Sequence, residues 1–252
     1  MAVVVSFLFS FALLAGMDVI SLNVFLALFG GGFLVAFLGW LDDKYSLSSS
    51  TRLLVQFAAA IWGLYCLNGF QAINIGFSVI ELGWFGNILA VVGIVWIINL
   101  YNFMDGIDGI AGTQALMVAA FGGWLLLVVG SMELAILCFL LAASVAGFLI
   151  WNWEPAKIFM GDVGSVFLGY IFAMLAIVCE SQGSIPLVIW MVILGVFIID
   201  ATLTLIRRII QGEEWGKPHR THVYQLAVQY GFKHKQVVIG VALINIILFT
   251  LA

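Results

Sequence analysis

The chain has 252 residues, of which 64% are hydrophobic and only 9% charged, with a formal net charge of −4. Soluble domains carry about 25% charged residues, so a soluble domain is excluded. Repeated apolar runs of transmembrane length, roughly 17–25 residues, make this an integral membrane protein that crosses the bilayer many times. Cys66, Cys138 and Cys179 lie in or at the ends of apolar runs without paired spacing, so neither a disulfide framework nor a zinc site is read from them.

In chain order the apolar runs are 2–16, 19–41, 53–67, 84–98, 110–130, 134–151, 166–179, 185–206 and 236–252. The second is interrupted by Gly30-Gly31-Gly32, small residues that let neighbouring helices approach closely. Between the third and fourth, residues 68–83 alternate imperfectly and read as a short hairpin or extended surface piece. The first run has no basic region before it and no cleavage-like end, so it is not read as a leader. Because the chain begins and ends inside apolar runs, it is expected to be an excerpt of a longer protein. The expected fold is all-α: a polytopic membrane helix bundle of about nine transmembrane helices, with residues 1–252 forming one domain.

The fourth run delivers the most informative stretch. Asn99, Asn102, Asp105 and Asp108 follow at intervals of three, with Gly106, Gly109 and Gly112 among them. On a helix three residues turn through roughly 300°, so the four side chains form a slowly drifting stripe on one face. The glycines permit a break and let a ligand approach the backbone closely. Carboxylates in or beside a membrane segment are costly and usually functional. A stripe of oxygen ligands suits a hard cation such as Mg2+, with phosphate as the other partner. The competing explanation is a capped helix end, which would suffice for a single Asp-Gly.

Adjacent runs alternate direction, so their loops alternate sides. All nine Lys and Arg residues fall on one side: Lys44, Arg52, Lys157, Arg207, Arg208, Lys217, Arg220, Lys233 and Lys235. The turns of the other side carry only Asp18, Glu81, Glu133 and Glu180. The positive-inside rule therefore places the basic side in the cytoplasm, and every chemically rich segment lies on it.

Three more constellations sit there. Asp42-Asp43 ends the second run; adjacent carboxylates repel, which a cation would relieve, and Lys44 and Arg52 are natural phosphate contacts. A solvated charged loop is the bland alternative. Gly161-Asp162-Val163-Gly164-Ser165 leads into a helix start, where backbone N–H groups and the helix dipole favour phosphate. Asp162 offers a metal ligand, although a bare glycine-rich loop is a weak signal. In His219-Arg220-Thr221-His222-Val223-Tyr224-Gln225, Arg220 and the imidazoles suit a diphosphate, and Tyr224 or Gln225 suit a sugar or base; an interfacial loop is the alternative. Asp200, inside the eighth run, has an ion pair with Arg207 or Arg208 as its simplest explanation. His234, between two lysines, reads as part of a basic interfacial loop.

The ordered set Asp42-Asp43, Asn99-x2-Asn102-x2-Asp105-Gly-Ile-Asp108-Gly, Gly161-Asp162-x-Gly-Ser165 and a His/Arg-rich loop resembles the polyprenyl-phosphate N-acetylhexosamine-1-phosphate transferases, relatives of phospho-MurNAc-pentapeptide transferase. The likeness runs from about residue 33 to residue 237, and the Asn/Asp motif is its most specific part. It implies transfer of a sugar-1-phosphate from a UDP-N-acetyl sugar to undecaprenyl phosphate with release of UMP, using Mg2+ or Mn2+, in a bacterial inner membrane. It implies Asp42, Asp43, Asp105, Asp108 and His222 as catalytic residues, and Asp162 with Asp105 and Asp108 as metal ligands. Lys44, Arg52, Asn99, Asn102, His219, Arg220, Tyr224 and Gln225 become substrate contacts. The lipid bilayer is the expected surrounding, no nucleic acid is expected as a partner, and a homodimer is compatible with the likeness. Two departures matter. The His219-Arg-Thr-His222-Val-Tyr-Gln segment replaces a histidine cluster and looks like the branch that starts O-antigen chains with fucosamine- or quinovosamine-type sugars. Family members are also longer at both ends and carry a basic, glycine-rich motif ahead of the first run. A cation- or proton-coupled transporter is the competing class, but its acidic residues would sit near the midplane; an inactive scaffold would leave the Asn/Asp stripe unexplained.

Overall fold

The computed structural model describes residues 1–213 and 220–252; Lys217 and His219 therefore lie outside the described residues. The protein is an all-α polytopic membrane protein. Its helices are α1 (Ala2–Gly16), α2 (Leu22–Phe25), α3 (Gly31–Tyr45), α4 (Ser49–Cys66), α5 (Trp84–Phe103), α6 (Ile110–Val128), α7 (Met132–Asn152), α8 (Gly161–Ser181), α9 (Leu187–Ile193), α10 (Gly195–Ile210), α11 (Val223–Gln229) and α12 (His234–Leu251). Each expected apolar run folds as a helix, but the count of nine spans is not reproduced. Among the described residues six helices are long and apolar enough to cross a membrane, and α9 with α10 makes a seventh if the bent pair is one span. The expected hairpin is present: β1 (Ala72–Asn74) pairs antiparallel with β2 (Val79–Glu81), Ile73 opposite Ile80.

The bundle is built around α8, whose residues from Val163 to Cys179 are all buried. Two close approaches set its neighbours. A Cβ on Gly39 of α3 would lie 2.6 Å from the Asp162 carbonyl, and one on Gly169 of α8 would lie 2.7 Å from the Ile98 Cα of α5. Only glycine lets the three backbones meet there, and both contacts bring helix ends to the level of the site described below.

Two interruptions in the helices are stabilised by side chains, as they must be where no water reaches the backbone. A π-helical turn, Leu26–Gly30, joins α2 to α3. Trp62 Nε1 donates to the Leu26 carbonyl at 2.9 Å and the Tyr170 hydroxyl to the Ala27 carbonyl at 2.8 Å, satisfying oxygens that the altered register releases. The second interruption corrects the expectation of one straight helix over 185–206: the chain bends by 80° between α9 and α10. Gln114 of α6, fully buried, donates from Nε2 to the Ile193 carbonyl at 3.3 Å, and its Oε1 accepts from Asn245 Nδ2 of α12 at 2.6 Å. This relay meets the backbone acceptor exposed by the bend.

The two ends of the bundle differ as the basic residues predict. At one end the Asp43, Asn102, Asp108, Glu154, Asp162, Tyr224 and Lys235 segments touch one another. At the other, the Ser21 N–H donates to Glu133, and Glu180 accepts from the N–H groups of Asn74 in β1 and Leu187 in α9.

Replacing Gln114 by Leu leaves the Ile193 carbonyl and the Asn245 amide without their partner, a cost of about 1–3 kcal/mol. The variant is expected to unfold at lower temperature in detergent, and adding Asn245→Leu should recover part of the loss. A Gln114→Leu protein as stable as wild type would remove the clamp. For orientation, Cys66 is half-buried and Cys179 fully buried, both toward the hairpin end. An impermeant thiol reagent outside intact cells should label Cys66 and spare Cys179, while cysteines introduced at Ser49 or Gln211 stay protected. Labelling of those introduced sites would reverse the orientation.

Candidate active site

The site starts where α3 ends. Ser46 adopts the left-handed C-cap conformation, φ 51°, and Ser48 accepts the Thr51 N–H to cap α4. That tight turn aims Arg52, in the first turn of α4, back at α3. Arg52 Nη1 donates to Asp42 Oδ2 at 3.0 Å and lies 3.9 Å from Asp162 Oδ2. Asp42 Oδ1 accepts the Leu47 N–H at 2.7 Å.

Asp43 reaches across to α8 and accepts the N–H groups of Asp162 at 3.0 Å and Val163 at 3.4 Å. The start of α8, expected to hold phosphate, is thus occupied by a carboxylate of the protein itself. The physics is the expected one: orphan N–H groups and the helix dipole attract an anion.

Asn102 closes the cluster from α5. Its Nδ2 donates to Asp162 Oδ1 at 2.8 Å and to Ser165 Oγ at 2.9 Å. Asp105 follows on the loop beyond α5, half-buried, and among the described residues its carboxylate accepts no hydrogen bond. Burial first, then the charges of Asp162 and Asp43, push its carboxyl up to about 7. The donor set of Asp42, Asp43, Asp105 and Asp162 is hard oxygen throughout, the chemistry that suits Mg2+, and Asp105 is a carboxylate among like charges without a partner. In this respect the residues fit a divalent cation. Among the described residues, however, no three acidic or imidazole groups stand ready to ligate one ion.

The four-residue stripe does not persist. α5 ends at Phe103, so beyond it spacing by three no longer maintains one face. Asn99, still on α5, donates to Gln56 Oε1 at 2.6 Å and the Val95 carbonyl at 2.8 Å, which ties α5 to α4. Asp108 Oδ2 accepts the Ala156 N–H at 3.1 Å and lies 3.5 Å from His234 Nδ1, which itself faces the Asp108 N–H at 3.3 Å. His234, read from sequence as part of a basic loop, therefore pins α12 to the motif loop.

Asp200 also departs from its simplest explanation. Its carboxylate meets His222 Nδ1 at 3.2 Å and the N–H groups of Val223 and Tyr224, whereas Arg208 lies 3.0 Å from Glu213. Tyr224 and Gln225, expected to read sugar or base, spend their polar groups on the protein. The buried Tyr224 hydroxyl donates to the Phe103 carbonyl at 2.9 Å, and Gln225 Oε1 accepts the His222 N–H at 3.3 Å. Burial, then the charges of Asp105 and Asp200, hold the Tyr224 phenol well above its usual range, so it remains a donor. Lys44 lies exposed over the Trp40 and Tyr45 rings, Nζ 5.5 and 5.0 Å from their centroids, and Arg220 is exposed.

An apolar cleft of about 410 Å3 runs down one side of the bundle between α5, α8, α9 and α10, roofed by Phe70 and Ile73 of the hairpin segment. On α5 its lining ends at Ile97, five residues or about 7.5 Å of helix before Asn102. On α10 it includes Ile198 and Thr202, which flank Asp200. Sequence reasoning could not find it, because it depends on the bend at Leu194.

Fold and site together define a membrane protein that gathers carboxylates, an arginine and a buried histidine at one end of its helix bundle. The chain belongs to glycosyl transferase family 4, whose model matches residues 25–180. Over 227 residues it is 36% identical to a probable undecaprenyl-phosphate N-acetylglucosaminyl 1-phosphate transferase of Bacillus subtilis, covering 86% of this chain and 62% of the relative. Over 210 residues it is 32% identical to a phospho-N-acetylmuramoyl-pentapeptide-transferase of Listeria monocytogenes, covering 77% and 60%. A protein of the same description from Moorella thermoacetica is 37% identical over 137 residues, covering 54% and 41%. The chain thus spans less than two thirds of the length of these relatives.

The raised Asp105 carboxyl carries a stability signature. Between its ordinary value of 3.8 and about 7 the folded protein keeps a proton that the unfolded chain has released, so stability falls as pH rises through that window and levels off above it. Thermal unfolding in detergent with EDTA should follow this fall; burial and Asp42 raise Asp162 to about 6 as well, so Asp105→Asn should reduce the slope and remove it above about pH 6. An unchanged slope in the variant would assign the effect elsewhere.

Proposed function

We propose that this protein transfers an N-acetylhexosamine-1-phosphate, or a deoxy-sugar analogue, from a UDP-sugar to undecaprenyl phosphate and releases UMP, starting an O-antigen or related envelope polysaccharide. The observation that carries this reading is the convergence of Asp42, Asp43, Asp162 and Arg52 at one end of a bundle of apolar helices. The acceptor has the same two parts: a prenyl chain suited to the bilayer around those helices and a phosphate suited to the polar end. In this reading the basic side faces the cytoplasm of a bacterial inner membrane. The segment from Arg220 to Gln225 supports a fucosamine- or quinovosamine-type sugar, and a homodimer fits the proposal.

Asp105 and Asp162 would hold Mg2+ or Mn2+ through hard carboxylate oxygens; Asp108, the third metal ligand implied by the resemblance, would have to leave Ala156 and His234 to join them. When bound, the metal would supply charge neutralisation at the diphosphate and the leaving UMP. Arg52 contributes a fixed positive charge for phosphate, and Asn102 holds Asp162 in place. Attack comes from the lipid phosphate itself. Its second pKa near roughly 6 leaves it largely dianionic at neutral pH, so it needs positioning more than activation. Asp42 and Asp43 support this route, because both carboxylates are engaged, one by Arg52 and Leu47 and the other by the start of α8. A cation-coupled transporter is less favoured, since the acidic groups gather at one face.

The test is release of UMP by purified protein from a panel of UDP-N-acetyl sugars. Release should require undecaprenyl phosphate and Mg2+, and should fall roughly 100-fold or more in Asp162→Asn, a loss of the size seen when a charge-stabilising group is removed. Labelled UMP should exchange into UDP-sugar only when prenyl-linked product is present. Exchange by delipidated enzyme and UDP-sugar alone would establish a covalent route through an aspartate, and no release with any sugar would reject the transferase.

A further inference from the structure

α7 ends at Asn152, α8 starts at Gly161 and α12 starts at His234, and all three helices are long and apolar enough to cross a membrane. Their ends are fastened to one another. Asp108 Oδ2 accepts the Ala156 N–H at 3.1 Å and lies 3.5 Å from His234 Nδ1, while Glu154 Oε2 accepts the Lys235 N–H at 2.7 Å. This junction brings Lys157, next to Ala156, to the same surface as Lys233 and Lys235, which flank His234. The loop is ordered at that point, for the Lys157 N–H donates to the Trp151 carbonyl at 2.8 Å. All three lysines are exposed, and among the described residues none of their ammonium groups is ion-paired. Both carboxylates of the junction accept backbone N–H groups instead.

The unpaired charge stands among exposed rings. Lys157 Nζ lies 5.2 Å from the centroid of the Trp151 ring, which is exposed, as are Phe159 and Phe232. Aromatic rings at the ends of membrane helices settle at the level of the headgroups. Lysine stems run along apolar surface there and leave the ammonium in the polar layer. Below the lysines, α12 buries only Val238, Val241 and Asn245, so most of its length is open to acyl chains.

We propose that Lys157, Lys233 and Lys235 form a binding surface for the headgroup of an anionic phospholipid, whose acyl chains lie along α12. The three ammonium groups attract a headgroup of net negative charge. A zwitterionic headgroup brings a cation of its own and gains less. The headgroup bridges the α7–α8 loop and the start of α12, so its binding tightens the junction that Asp108 and Glu154 make. The inference uses neither the transferase reading nor the orientation in the membrane.

The test equilibrates immobilised protein in neutral detergent with labelled phosphatidylglycerol or phosphatidylcholine of matched chains and counts the bound lipid. Phosphatidylglycerol should bind about tenfold or more tighter, and Lys157→Gln, Lys233→Gln and Lys235→Gln should each weaken it roughly fivefold. The lysines are exposed, so glutamine in their place costs the fold little. Arg207→Gln removes the same charge from an exposed position on α10, outside the junction, and should leave the preference unchanged. Amide exchange at Ala156 and Lys235 should slow with phosphatidylglycerol and not with phosphatidylcholine. Inorganic phosphate should displace no more lipid than chloride of equal ionic strength. Equal binding of the two lipids, an equal loss in Arg207→Gln, or unchanged exchange at both amides would each overturn the proposal. Specific displacement by phosphate would make the surface a site for the free anion and overturn it equally.

Discussion

The membrane face of this protein is organised by the way α8 begins. Its first N–H groups receive the Asp43 carboxylate from α3, and Gly39 lets the two backbones come close enough for that contact. A carboxylate at a partly buried helix N-terminus can be stabilised by up to about 2 kcal/mol, which offsets the repulsion of placing Asp42, Asp43 and Asp162 together. Arg52 balances the group from α4, and Asn102 attaches α5 through Asp162. Four helix ends are thus held at one level by one set of charge-assisted contacts.

Away from that face the same requirement, that no backbone polar group be left alone in lipid, explains where the helices deviate. The π-helical turn has Trp62 and Tyr170 as donors, and the bend before α10 has Gln114. Neither deviation is a local accident of sequence. Each is held by side chains from other helices, and the bend gives the cleft one of its walls. Polar residues deep in the bundle therefore serve the shape of the apolar surface.

Much of this was legible in the chain. The basic residues sorted the loops onto two sides, and the contacts between loops agree with that sorting. Every apolar run became helical, with interruptions within 19–41 and 185–206, and residues 68–83 hold the hairpin. What stayed hidden depended on distant partners or on where regular structure stops. Spacing by three describes a face only while a helix lasts, so Asp108, beyond the end of α5, leaves the group that Asn102 and Asp105 approach; Asn99 is still on α5 but spends its amide on Gln56 and Val95. Asp200 has Arg207 and Arg208 two turns away, and sequence proximity favoured them. Its carboxylate instead meets His222, 22 residues on. His234 looked like a surface residue among lysines because nothing in its neighbourhood reveals Asp108, more than a hundred residues earlier.

At the opposite end, Glu180 accepts N–H groups from both the hairpin and the first residue of α9. A hairpin of two three-residue strands is marginal in water by itself, so its order is borrowed from the C-terminal turn of α8, to which Glu180 belongs. The same carboxylate sets where α9 begins, so one side chain fixes two elements that line the apolar cleft, and replacing it would loosen the roof and one wall together.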